Sequence, residues 1–427
     1  MRALRFVAGA LLVPLAAASI AAQGTYFPPA GSWEKRTPAQ VGLLQSSVDS
    51  AVKIAIAAES TTPKDLLQNH VASSFGREPH SEAVGPFTVR GSASGLIIRR
   101  GYIVAEWGDV DRPENTYSVT KSFVSTTIGL AFDRKMIRNL NDPVRLYMPP
   151  VVALKGVPSG AAALAPVPPN ATGDGTAAMA ATRGTAYDAF DLLQPFESEH
   201  NRKITWDHLL RQTSDWQGTL WGKPDWADRP QGDVEQWKMR KRNEPGTVYT
   251  YNDVRVNATA LASLMVWRRP LPQVLREYVM DPIGASNTWR WYGYDNSWII
   301  LDGQLVQSVA GGAHWGGGMI ISARDMARFG LLTLRKGKWG DKQILSEEWI
   351  RLATTPGVNT GYGFMNYFLN TGRRSAPSAP EQSWQHRGNG QNIIYVDPVN
   401  DLVVVARWIN TARSMDGVIK QLLEGIK

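Results

Sequence analysis

The sequence predicts an α+β fold: one antiparallel sheet assembled from both chain ends, flanked by helices, with a largely helical region inserted between. Three observations point there. Residues 95–107 hold two β-rich runs separated by Arg100-Gly101, a turn signal. Residues 392–396 and 401–408 repeat the pattern around the turn-rich Asp397-Pro-Val-Asn400. Between them, apolar residues recur at helical spacing over 204–211, 252–268, 270–280 and 324–334. Such an arrangement leaves a cleft between sheet and insertion, where a ligand site is expected.

The elements follow in order. A basic start with Arg2 and Arg5, an apolar stretch to residue 22 and small residues near its end read as a secretory leader, cleaved near Ala21 or Ala22. The mature protein is therefore expected to be exported, periplasmic or secreted, with no stable membrane insertion. Residues 24–35 read as an extended lead-in and 38–58 as an amphipathic helix. After the first hairpin an apolar helical run covers 123–132. Residues 151–183 are an Ala/Gly/Pro-rich stretch, read as a surface insertion because it can bury little. A closing amphipathic helix spans 411–426. One domain, 23–427, is expected, with sheet-bearing parts at about 37–115 and 300–427 and the helical part at about 116–299.

Composition narrows the function. At 43% hydrophobic and 20% charged, the 427 residues can build a substantial core. Zero cysteines exclude thiol catalysis and disulfide staples. The formal charge is +8, two of it from Arg2 and Arg5, and no dense basic tract carries interleaved aromatics. Nucleic-acid binding is therefore not expected. The six histidines show no metal-ligand spacing, so neither metal nor cofactor is expected.

Chemistry enters at Ser118-Val119-Thr120-Lys121. Serine is a poor nucleophile near neutral pH, but an amine one helical turn away can take its proton if its own pKa is lowered. Ser-x-x-Lys occurs three times, at Ser32–Lys35, Ser50–Lys53 and Ser118–Lys121. Only Ser118 has a strand before it and an apolar helix behind it. Two later segments offer partners: Tyr251 in Pro245-Gly-Thr-Val-Tyr-Thr-Tyr-Asn-Asp253, and His386-Arg387-Gly388-Asn389-Gly390 before a strand. Glycine there lets backbone approach a ligand closely.

Tyr-Ser-Val-Thr-Lys, Pro-Gly-Thr…Tyr-Asn-Asp and His-x-Gly, in that order, resemble the three motifs of serine β-lactamase-related, penicillin-binding-protein-like hydrolases. The class C-like branch, with its D,D-peptidases, esterases and nylon-oligomer hydrolases, is the nearest. Residues 204–214 and 316–325 resemble its supporting segments. The resemblance implies a β-lactamase/transpeptidase-like fold, with Ser118 as acylated nucleophile and Lys121 as its activating amine. It implies Tyr251 as general base and acid, and His386 and Gly388 in the third motif. Backbone amides of Ser118 and Asn389 would form the oxyanion hole.

Two positions depart from that pattern. The second motif usually reads Tyr-x-Asn, whereas Asp253 stands third here; it either takes the amide's role or signals different local geometry. A carboxylate near Lys121 would favour the ammonium and oppose its use as a base. His386 replaces a lysine, and Arg387 either compensates or faces solvent. Tyr249 competes with Tyr251. His314-Trp315 is a further candidate for the cleft, and the sixteen tryptophans either shape an apolar pocket or pin loops. Gly91-Ser-Ala-Ser-Gly95 fails as a nucleophile elbow, because Ala93 holds its third position. The expected function is an exported serine hydrolase of carboxylesterase or amidase type, acting on a small ester, amide or peptide-like substrate. A D,D-peptidase or weak β-lactamase, and a silent binding relative, are the alternatives.

Overall fold

The computed structural model describes residues 25–155 and 189–427. The leader and most of the 151–183 stretch lie outside the described residues. Six antiparallel strands form the main sheet in the order Phe368–Leu369, Trp384–Gly388, Asn392–Asp397, Leu402–Arg407, Ser94–Arg99, Tyr102–Trp107. Its centre pairs the two chain ends, with Ile97 opposite Val404 and Leu96 opposite Val405. The Arg100-Gly101 turn has φ of 54° and 88° at its two residues. That backbone twist matches a two-residue hairpin.

Both faces of the sheet are covered, so neighbouring residues of one strand serve different cores. Ile97, Val404, Ile393 and Tyr395 pack with the helices Gln45–Ala57 and Ala412–Glu424. Leu96, Ile98, Val403, Val405 and Ile394 pack on the other side with the helices Thr120–Asp133 and Ala323–Leu334. The helix expected over 38–58 begins only at Gln45. Residues Pro38–Val41 form a 3-10 turn, which ends at Gly42 with φ of 74°.

The middle of the chain is less helical than its sequence suggests. A second sheet joins Glu114–Asn115, Gly318–Ile321, Arg290–Leu301, Val151–Leu154 and Phe190–Leu193. The twelve-residue strand Arg290–Leu301 hides in the sequence because its pairing with Gln304–Val309 is interrupted between Gly293 and Trp298. Val151–Leu154, read as the start of the surface insertion, is a strand pairing with Phe190–Leu193.

One buried side chain stitches the two sheets behind the site. Arg407 donates from Nη1 to the Ile321 carbonyl at 2.6 Å and from Nη2 to the Asn115 carbonyl at 2.9 Å. Asn115 is three residues from Ser118, so this contact fixes where the turn bearing Ser118 begins. Among the described residues, no helix is long and apolar enough to cross a membrane.

Candidate active site

Ser118 sits in a 3-10 turn, Tyr117–Val119, that feeds the helix Thr120–Asp133. Tyr117, just before it, is buried with φ of 47°, a left-handed conformation that costs an aromatic residue about 1–3 kcal/mol. Packing holds it there: its ring meets Trp408 edge-on at 6.5 Å. The turn leaves Ser118 half-buried on a cavity of about 210 Å³.

One helical turn on, Lys121 is wholly buried, and its Nζ lies 2.8 Å from Ser118 Oγ. The same Nζ lies 2.5 Å from Asp253 Oδ1. Burial lowers the Lys121 pKa; Asp253 opposes that and Arg229 adds to it, leaving it below the ordinary lysine range. The concern that Asp253 would hold Lys121 fully charged is thus offset by desolvation. For Asp253, burial acts upward, but Lys121 and Arg229 outweigh it and hold the carboxyl well below its usual range.

Tyr251 lines the same cavity as Ser118, and its ring centroid lies 4.6 Å from Lys121 Nζ. Burial, with the Asp253 carboxylate, raises its phenol pKa, so it keeps its proton at neutral pH. Gln212 fixes the segment: its carbonyl accepts from Thr250 N at 2.9 Å and its Oε1 from Asn252 N at 2.8 Å. Asn252 caps the helix Asp253–Trp267 through Arg255 N. Asn252 is thereby a structural residue, and Asp253 is the one that faces Lys121. Tyr249 packs on Tyr362 at 5.1 Å and is absent from the cavity wall.

In the third motif the structure separates the residues. Gly388 and Asn389 line the cavity. A Cβ at Gly388 would sit 2.1 Å from the Thr116 carbonyl and 3.3 Å from Ser118 N, so only glycine lets this strand approach Ser118. His386 does not reach the cavity. It is wholly buried, its Nδ1 lies 2.9 Å from Ser122 Oγ, and its ring packs against Tyr367 at 4.6 Å. Burial lowers its pKa to about 3. Two residues per strand repeat puts His386 on the face of Gly388, but where Gly388 meets the Ser118 turn at the cavity, His386 lies further along and packs against Ser122 of the helix. Arg387, its neighbour, lines the cavity instead.

Sequence reasoning missed a group of charges. Arg229 Nη1 bonds Asp253 Oδ2 at 2.6 Å and also pairs with Asp228, whose other oxygen accepts the Asp253 N–H. Asp228-Arg229 lies in a loop without periodicity, so no pattern flagged it. His314 does line the cavity, and its Nε2 lies 2.8 Å from Glu78 Oε2. The ligand-capable atoms of Glu78, Asp228 and His314 converge within 4.8 Å, with Arg229 already paired to Asp228. Among the described residues no tryptophan lines the cavity; its aromatic walls include Phe75, Tyr117, Tyr251 and Phe368. Trp206, Trp216 and Trp315 are core residues.

The fold recurs in solved structures of distant sequence. The chain is similar to EstCE1, described as a hydrolase with promiscuous acyltransferase activity, at 16% identity and a TM-score of 0.51, covering 88% of this chain and 99% of that one. It is also similar to a penicillin-binding protein homologue from Caulobacter crescentus at 11% identity and a TM-score of 0.51, covering 90% and 99%. Those likenesses concern architecture. The family described as Beta-lactamase matches residues 93–420, which takes in both hairpins and all three motifs. The chain belongs to the beta-lactamase family of hydrolases.

Proposed function

We propose that this protein is an exported serine hydrolase that cleaves an ester or amide through a covalent acyl-enzyme on Ser118. The observation that carries the reading is the 2.8 Å contact between Ser118 Oγ and the buried Lys121 Nζ at the cavity wall. Lys121, in its neutral form, takes the Ser118 proton as Oγ attacks the acyl carbon. The oxyanion is received by the backbone N–H groups of Ser118 and Asn389, where one donor is worth about a hundred- to a thousandfold in rate. Tyr251 gives its proton to the departing oxygen or nitrogen and is reprotonated by the Lys121 ammonium. Water then attacks the acyl carbon, surrenders a proton through Tyr251 to Lys121, and Ser118 leaves with a proton restored.

A fluorophosphonate probe is expected to label the wild type at Ser118, and hydrolysis of a short-chain nitrophenyl ester to be lost in Ser118→Ala. Persistent labelling of the variant would remove the assignment. The basic, apolar leader supports export; a mature N-terminus near residue 22 or 23 in the periplasm or medium tests that. One observation favours a second reading, a D,D-peptidase: Arg387 lines the cavity with no carboxylate partner among the described residues, which suits a substrate bearing a carboxylate. Acylation by a fluorescent penicillin would support it.

A further inference from the structure

His314 belongs to no motif, yet it joins the surface to the buried charges around Lys121. Its side chain is fully buried, clamped between the rings of Phe75 at 4.2 Å and Trp315 at 4.3 Å. On one side Nε2 lies 2.8 Å from Glu78 Oε2. On the other, Nδ1 lies 3.6 Å from Asp253 Oδ2 and 3.7 Å from Asp228 Oδ1. With Nε2 donating to Glu78, a neutral ring would aim its Nδ1 lone pair at two carboxylate oxygens. Only the imidazolium carries a donor on both sides.

We propose that His314 is a positioning residue for proton transfer, an imidazolium held between Glu78 and the Asp228–Asp253 pair that draws on the charge of Asp253 and so lets Lys121 release its proton. The inference rests on the reading of Lys121 as the base for Ser118. Three acidic side chains, Glu78, Asp228 and Asp253, face one fixed cation, Arg229, and the titrating amine of Lys121, and His314 supplies a further positive charge. Other titratable groups nearby are His70, whose pKa burial lowers, and Lys223, which is paired with Glu82 beyond Trp315. Burial acts downward on the His314 pKa and Asp228 upward, with Asp253 and Glu78 adding to the rise; the balance is raised. As pH climbs through that raised value the imidazolium is lost, and Asp253 then holds the Lys121 proton more tightly.

The test is the pH profile of kcat/KM for 4-nitrophenyl acetate with the full-length mature protein. In His314→Gln the imidazolium is gone at every pH. The acid limb is expected to move up by about one pH unit, with about a tenfold loss near neutral pH that recovers in alkali and KM little changed. Glu78→Gln, at a partly exposed position, is expected to shift the limb the same way but less. A superimposable limb in both variants, or a loss independent of pH, overturns the proposal. If His314→Gln does not fold, Glu78→Gln and the ¹⁵N shifts of the His314 ring decide: a neutral ring at pH 6.5 refutes it. Turnover that survives Ser118→Ala would instead fail the serine-hydrolase reading, so the two failures are distinguishable.

Discussion

Gly312 and Asp253 stand so close that a Cβ on the glycine would lie 1.4 Å from Asp253 Oδ1 and 2.5 Å from Lys121 Nζ. The backbone at residue 312 is thus the wall against which the carboxylate and the amine are pressed. Only a residue without a side chain leaves room for both.

Gly312→Ala should therefore displace Asp253 and Lys121 while the distant sheet stays intact. A shift of about 1 Å in a reacting group costs on the order of a hundredfold. The expected result is a loss of kcat of at least about that size, with KM much less affected, measured on a nitrophenyl ester.

On the proposed mechanism, Tyr251→Phe removes the proton that the leaving group receives. General acid catalysis is worth about 10²–10⁴-fold. Because a nitrophenolate leaves without help, its ester should lose less activity than the matching alkyl ester. Equal losses on both would argue against a proton-donating role.

His386 gives a stability prediction. Its pKa falls from 6.5 to about 3 on folding, so the buried ring stays neutral while the unfolded chain takes up a proton. The unfolded state binds more protons between those values, and stability must drop as pH falls from about 6.5 toward 3. At the acid end the loss is up to about 4–5 kcal/mol. His386→Gln should flatten that part of the wild-type curve, read from urea midpoints at several pH values.

Arg255 anchors the far side of the Tyr251 segment. It is buried, with Nη2 at 2.5 Å from Asp215 Oδ1 and 3.2 Å from Asp225 Oδ2. Arg240 and Arg242 complete the network. Arg255→Met leaves two buried carboxylates short of a partner, a change expected to cost about 3–5 kcal/mol in urea unfolding. A loss under about 1 kcal/mol would show that Arg240 and Arg242 suffice.

The ends of the chain were legible because their signals are local. Continuous β-rich runs, a two-residue turn and an amphipathic stretch are each decided by neighbours in sequence, and all reappear in the main sheet and its helices. The Ser118–Lys121 pairing was legible for the same reason, since one helical turn fixes it. The long strand Arg290–Leu301 was not, because its irregular pairing breaks the two-residue rhythm.

What the amino-acid order settled by itself is the family, the paired chain ends and an amine one turn from a hydroxyl. Folding alone decided which polar groups surround that amine. Strand alternation turned His386 inward and Arg387 toward the cavity, and loops far apart in sequence delivered Arg229, Asp228 and His314 to Asp253. Those charges interact through space in a dry interior, and no spacing along the chain encodes such a distance.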